Sequence, residues 1–235
     1  MEPRPVAVER HPHLATPVAP CRLRVDCHSH TMWSGDCTTT VDELQRAVGE
    51  SGIDVLCITD HHAVAGAEAV RDQLGCRVVV GEEVRTHAGE LIGLFLTDRI
   101  PQGLPADETA RRIRDQGAVV YVPHPFDPMR HCLDEAVLLD LVEAGLVDAI
   151  EVHNSKTSLR SLNERARRLA ADAGLPGGAG SDAHVPDALG AGYVEMTDFD
   201  GPADFLAALG DAVVVGHHWD EPRPWTPRIV PSTSA

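Results

Sequence analysis

The chain has 235 residues, 43% of them hydrophobic and 24% charged, a balance that fits a folded globular protein and excludes a disordered one. A formal net charge of -16, with no basic run to offset it, argues against binding duplex nucleic acid. No eighteen apolar residues run together and Pro3, Pro5, Pro12, Pro17 and Pro20 interrupt the N-terminal region, so neither a membrane span nor a signal peptide is expected.

The length suits one large α/β barrel or two small domains. Residues 1–21 are proline-rich and aperiodic, and 219–235 carry Pro222, Pro224, Pro227 and Pro231. Both ends therefore read as tails around a single body at 22–218. The six cysteines make no CxxC pair, which predicts free thiols and a reducing, cytoplasmic setting.

Within the body, a strand is predicted over 22–26. Thr40-Val41-Asp42-Glu43 then has the form of a capping box, opening a helix with Val41, Leu44, Ala47 and Val48 on one side and Gly52 at its close. The apolar runs at 54–59 and 76–81 are too short for helices and rich in β-branched residues, as buried parallel strands are. Further strands are expected at 90–96, 118–122, 147–152, 176–181 and 212–216, with helices at 107–116, 134–144, 158–173 and 201–209. In the 158–173 helix, Leu159, Leu162, Ala166, Leu169 and Ala173 follow helical spacing before Gly174 and Pro176 stop it. Alternating strands and helices predict parallel strands with right-handed crossovers, in a barrel or an open doubly wound sheet.

In such barrels chemistry gathers at the C-terminal ends of the strands. Seven of the thirteen histidines and several carboxylates fall there. His28 and His30 follow the first strand, with Asp36 in the loop beyond. Asp60-His61-His62 follow the second strand and Glu82-Glu83 the third. His124, the pair Glu151 and His153, and the pair Asp182 and His184 close later strands. Residues two apart on a strand share a face, so His28 and His30 can offer both imidazoles to one cation.

Each feature alone has a plainer reading. A single His-x-His is a weak motif. Asp60 could cap a helix, His124 before Pro125 could be a turn residue, and Glu82-Glu83 could edge a solvated loop. The joint placement at strand ends favours a metal centre. His11, His13, His87, His131, His217 and His218 lack partners at ligand spacing, and Cys27 and Cys57 are expected to pack in the core.

The blocks "DCHSH" (26–30) with Asp36, "ITDHH" (58–62), "GEE" (81–83), "PHP" (123–125) and "GSDAH" (180–184) resemble, in that order, the PHP (polymerase and histidinol phosphatase) domain family. They span about residues 24–190. The resemblance implies a single-domain α/β fold, a distorted (β/α)7 TIM-like barrel, with two or three divalent ions, Mn, Fe or Zn, at its mouth. It implies that His28, His30, Glu83 and Asp182 serve one ion, Glu83 and His124 a second, and Asp36, His61 and His184 a third.

By the same resemblance Asp26 and Asp60 are expected to steady neighbouring imidazoles without binding metal. Glu90 stands where many family members carry a histidine, which predicts a lost, substituted or weakened ligand at the second ion. Glu151 or His153 could complete that position.

The activity implied is hydrolysis of a small phosphomonoester or nucleotide by a metal-bridged hydroxide, with Asn154, Lys156 and Arg160 near the mouth to meet the phosphate. Two other readings stand beside it. One is hydrolysis of an amide-type bond, and the other is a nuclease or polymerase-associated PHP module. Nothing in the sequence sets the oligomeric state.

Overall fold

The computed structural model describes residues 22–157 and 159–217. The expected tails at 1–21 and 219–235 lie outside the described residues, as do His11, His13 and His218. In chain order the elements are β1 (Leu23–Ser29), α1 (Val41–Ser51), β2 (Val55–Ile58), α2 (Ala65–Val70), β3 (Arg77–Thr86), β4 (Gly89–Leu94), α3 (Ala106–Asp115), β5 (Val119–Val122), α4 (Glu135–Glu143), β6 (Ala149–Asn154), α5 (Arg160–Ala173), β7 (Gly177–Gly180), β8 (Gly192–Met196), α6 (Pro202–Gly210) and β9 (Val213–Gly216). A 3₁₀ turn, Met32–Ser34, follows β1.

Local chemistry explains the first helix. Thr40 Oγ1 accepts the Glu43 N–H at 3.3 Å while Glu43 Oε2 accepts the Thr40 N–H at 3.0 Å, which satisfies two donors at the head of α1. Gly52, at φ 69°, ends it in the left-handed conformation that glycine adopts without cost.

The strands make one sheet in the order β7-β6-β5-β4-β3-β2-β1-β8-β9. The sheet curls until its β7 end meets β1 again: the Asp182 N–H donates to His28 O at 2.8 Å, and the His30 N–H to Ala183 O at 3.1 Å. Glycines in β7 permit this approach, because a β-carbon on Gly180 would collide with His28 and Glu151. The result is a nearly closed, barrel-shaped mixed sheet. Its interior is filled by residues such as Val25, Cys27, Cys57, Val119, Tyr121 and Met196, with Phe199 and Phe205 packed edge to face. Helices α1 to α5 lie over two further apolar clusters.

Three features differ from the sequence reading. The sheet is not uniformly parallel. β3 pairs in parallel with β2 over Arg77–Val80, then continues past the rim and turns back on β4 as an antiparallel hairpin from Gly81 to Thr86. The polar stretch "GEEVRT" is strand because β4 supplies its backbone partners. β4 also runs antiparallel to β5. Second, β8 is an added strand, antiparallel to both β1 and β9. Its five residues alternate buried and half-buried, too short a pattern to stand out. Third, the short α2 is a further helix in the β2–β3 connection.

Candidate metal centre

β1 delivers the first two histidines through an irregularity. Its register against β2 slips between Asp26 and Ser29, and His28 and His30, two apart, still share a face. His28 and His30 are both buried, with their Nε2 atoms 3.1 Å apart. The far side of each ring is held. His28 Nδ1 lies 3.2 Å from Glu151 Oε1, and His30 Nδ1 lies 2.9 Å from Ser34 Oγ. With both Nδ1 atoms donating outward, two lone pairs face one another, an arrangement that needs a cation or a proton between them.

Carboxylates complete that position. Glu83 Oε2 is 3.4 Å from both Nε2 atoms, and Asp182 Oδ1 is 3.5 Å from His30 Nε2 and 3.8 Å from His28 Nε2. Across Glu83, Oε1 meets His124 Nε2 at 2.9 Å. Towards solvent, Asp36 Oδ2 stands 3.1 Å from His184 Nε2 and 3.4 Å from His61 Nε2. Three overlapping groups therefore have ligand atoms close enough to share an ion: His28, His30 and Asp182; His28, Glu83 and His124; and His30, Asp36, His61 and His184. All eight residues named as ligand candidates from the sequence fall in these groups.

The donor set fits divalent cations. His61 Nδ1 is buried, makes no hydrogen bond and lies 3.3 Å from Glu83 Oε2, and mixed imidazole and carboxylate ligands suit Mn²⁺, Fe²⁺ or Zn²⁺. The electrostatics agree. Burial disfavours a charged His28, but Glu151, Glu83 and Asp182 outweigh it and hold its pKa well above the ordinary value. Burial likewise opposes the ion at His61, yet Asp36 and Glu83 raise it to about 9. His30 moves the other way, to about 4, through burial and its neighbour His184. Desolvation works against Glu83 and Asp182 too, and surrounding cationic groups still keep both well below the carboxylate range.

Two site residues sit in strained backbone. His124 has φ 29° and Asp182 φ 50°, a region unfavourable to side chains with a β-carbon. Each is braced. Glu151 Oε2 accepts the His124 N–H at 2.6 Å, and His28 O accepts the Asp182 N–H.

The remaining candidates divide. Glu151 steadies His28, His124 and Asn154, whose Nδ2 donates to its Oε2 at 3.0 Å. His153 goes elsewhere. A register slip in β6 between Glu151 and His153 separates their directions, and His153 lies 3.4 Å from Ser155 Oγ, against Gly216 of β9. Asp26 and Asp60 do not touch imidazoles. Asp26 accepts backbone N–H groups of His28, Ser181 and Gly190, while Asp60 accepts the Thr31 N–H at 2.6 Å and its hydroxyl at 2.7 Å. Burial raises both acids to about 6.

Of the expected phosphate contacts, Asn154 is buried and its amide is engaged by Glu151, Asp182 and the Lys156 N–H. Lys156 does reach the centre, with Nζ 3.2 Å from Asp182 Oδ1 and 2.8 Å from His184 Nδ1. Arg160 is exposed at the first position of α5. A second cation comes from Arg130, which the sequence reading passed over, with Nε 3.9 Å from Asp182 Oδ2. Its only sequence signal is its place six residues after His124 in the loop opened by "PHP". Ser34 was missed likewise.

A nearly closed barrel with imidazoles and carboxylates converging at its strand ends defines a metal-dependent hydrolase centre. The PHP domain family matches residues 26–167, and a PHP-associated family matches 160–214. The chain belongs to the PHP family.

An uncharacterized protein of Methanocaldococcus jannaschii, MJ0417, is 31% identical over 196 residues, covering 80% of this chain and 79% of its own. A two-domain protein of Bacteroides vulgatus containing a predicted PHP-like metal-dependent phosphoesterase shares the fold, with TM-score 0.65 and 19% identity over 90% of this chain and 70% of that one. An amidohydrolase from Chromobacterium violaceum, solved with sulfate and no metal, is similar at TM-score 0.55 and 15% identity, over 69% of this chain and 88% of its own.

Proposed function

We propose that the chain is a metal-dependent phosphoesterase acting on a small phosphomonoester or nucleotide. The observation that carries this reading is the pair of cations, Lys156 and Arg130, flanking Asp182 at the edge of the ligand cluster. Guanidinium and ammonium groups are suited to phosphoryl oxygens. They stand where a substrate bound at the centre would present them. Sulfate, named in the Chromobacterium violaceum structure, has the tetrahedral shape of a phosphoryl group.

In this reading His28, His30, Glu83, Asp182, His124, Asp36, His61 and His184 hold two or three divalent ions. When bound, such ions supply a nucleophilic water at neutral pH and polarise the phosphoryl oxygens. The chain's own residues do the rest. Glu151 and Ser34 fix the two imidazoles, Asn154 buttresses Glu151 and Asp182, and Lys156 and Arg130 orient the phosphate. The overall charge of -16 does not oppose an anionic substrate, because bound dications reverse the sign locally. Cytoplasmic placement is supported by the five cysteines among the described residues, all free and three of them buried. Among the described residues no helix is long and apolar enough to cross a membrane.

The test is metal analysis of purified protein paired with a screen of phosphate esters and amides under Mn²⁺, Fe²⁺ and Zn²⁺. Orthophosphate release is expected, abolished together with metal content in His28→Ala/His30→Ala while the variant stays folded by circular dichroism. Release of amine without orthophosphate would assign the amide bond instead. Unchanged turnover in the double variant would remove these histidines from the mechanism.

A further inference from the structure

The β3–β4 hairpin carries an arginine beyond the ligand cluster. β3 keeps an unbroken register against β4 from Gly81 to Thr86, so Glu83 and Arg85, two residues apart, share a face. Glu83 belongs to the cluster, and Arg85 stands about 6.8 Å further along the strand, past the rim. Its guanidinium is pinned along one edge: Nε is 3.1 Å and Nη2 3.0 Å from Glu90 Oε1. Nη1, on the outer edge, has no partner among the described residues, and the side chain is 41% exposed.

Two histidines outside the ligand groups flank Arg85. His62, which follows β2, has a left-handed backbone at φ 57°, held by its N–H on Glu83 O at 3.1 Å, and its Nδ1 makes no hydrogen bond. His131, in the loop before α4, is exposed, and its carbonyl accepts the Glu90 N–H at 2.8 Å. Burial lowers the pKa of both rings, and the charge of Arg85 lowers each further, which sets all three around one space.

Arginine offers carboxylate or phosphate a planar fork of donors, and here one edge is filled while the other is open. Glu90 holds the plane still, so an arriving anion meets oriented donors at little ordering cost. Lys156 and Arg130 gather at Asp182, after β7, whereas Arg85 lies on β3, four strands away in the sheet order β7-β6-β5-β4-β3. Two cationic positions therefore stand on different strands of one mouth.

We propose that the outer edge of Arg85, with His62 and His131 beside it, is a second anion subsite, and that the substrate is a phosphomonoester bearing a further phosphate or carboxylate about 7 Å or more from the ester phosphorus. This rests on the phosphoesterase reading and narrows its substrate. The phosphate at Lys156 and Arg130 is the one hydrolysed. The remote anion at Arg85 is left intact and orients the ester.

Calorimetric titration of Mn²⁺-loaded protein compares pentylphosphonate with pentane-1,5-bisphosphonate and with the same chain ended by a carboxylate. At least one doubly charged probe is expected to bind about tenfold or more tighter than pentylphosphonate, as one added charge-assisted contact does. Which of them does so identifies the remote anion. Arg85→Lys keeps a positive charge on Glu90 and loses the outer edge. It brings the doubly charged probe to within about threefold of pentylphosphonate, while pentylphosphonate affinity and metal content stay as in the wild type. His131→Ala, at an exposed position, reduces the gain by about threefold. Thermal melting checks that each variant is folded. Equal binding of all three probes by the wild type, or a gain that persists in Arg85→Lys, overturns the proposal. Absence of any pentylphosphonate binding, with no phosphate ester turned over, sinks the phosphoesterase reading itself, a separate outcome.

Discussion

Glu151→Gln tests the arrangement at a residue that touches no proposed ion. Glu151 Oε2 accepts two donors, the His124 N–H at 2.6 Å and Asn154 Nδ2 at 3.0 Å, while Oε1 faces His28 Nδ1 at 3.2 Å. Glutamine preserves the shape and supplies only one oxygen. Keeping that oxygen on the two donors turns the amide NH₂ towards His28 Nδ1. Neutral His28 must then carry its proton on Nε2, the atom that faces His30 and Asp182, and its lone pair leaves the cation position. Loss of such a supporting carboxylate costs about 10–100-fold in metal affinity, or roughly 1.4–2.7 kcal/mol. Calorimetric titration with Mn²⁺ and Zn²⁺ measures this, with melting in the metal-free state as control. Wild-type affinity in a folded Glu151→Gln protein would refute the tautomer argument.

Other outcomes follow from the same geometry. Because His61 is held up to about 9, bound metal displaces a proton at neutral pH, so Mn²⁺ affinity should rise from pH 6.5 to 8.5 and level off above 9. The His61 proton also stabilises metal-free protein, fully below about pH 6.5 and no longer once pH passes through 9. A Mn²⁺ affinity independent of pH would contradict both statements. Asp26→Ala strands the buried N–H groups of His28 and Ser181 and the half-buried one of Gly190, and should cost about 3 kcal/mol in urea unfolding, given roughly 1–3 kcal/mol for each unsatisfied donor less the relief of a buried acid. A change under about 0.5 kcal/mol would show that these bonds do not brace the β1–β7 closure. Arg130→Ala and Lys156→Ala should each raise KM for phosphate esters about tenfold or more with metal content unchanged, as loss of a charge-assisted contact does. Equal KM in both variants would place the phosphate elsewhere.

The ligand candidates were legible because histidine and carboxylate at strand ends are chemically specific, whatever the exact strand boundaries. The directions of side chains were less so. A β-strand alternates faces only while its register holds, and the register slips within β6. The slip in β6 separates Glu151 from His153, which strict alternation would have paired. Asp26 and Asp60 show another limit. A carboxylate beside a histidine in sequence supports that ring only if the backbone aims it there, and here both acids meet backbone donors and Thr31 instead. The β3–β4 hairpin was hidden because its turn carries no Asn-Gly or Asp-Gly. It closes through the Thr86 hydroxyl, 2.7 Å from Gly89 O, with Gly89 at φ 124°.

The cluster's buried charge explains why the barrel rim is built so tightly. Glu83, Glu90, Glu151 and Asp182 are each at most 2% exposed. Unpaired carboxylates in such a place would be strongly unfavourable, and no apolar contact could offset them. Protons on His28 and His61, together with Lys156, Arg85 and Arg130, supply the compensating charge in the metal-free protein. A dication does so with better geometry, since it engages several ligand atoms at once. The left-handed His124 and Asp182 add about 1–3 kcal/mol of strain each. Both belong to the candidate ligand groups, and both are held by hydrogen bonds from neighbouring strands. The fold thus bears its strain and its buried charge at the same positions, where an ion bound to those side chains would relieve the charge and repay the strain.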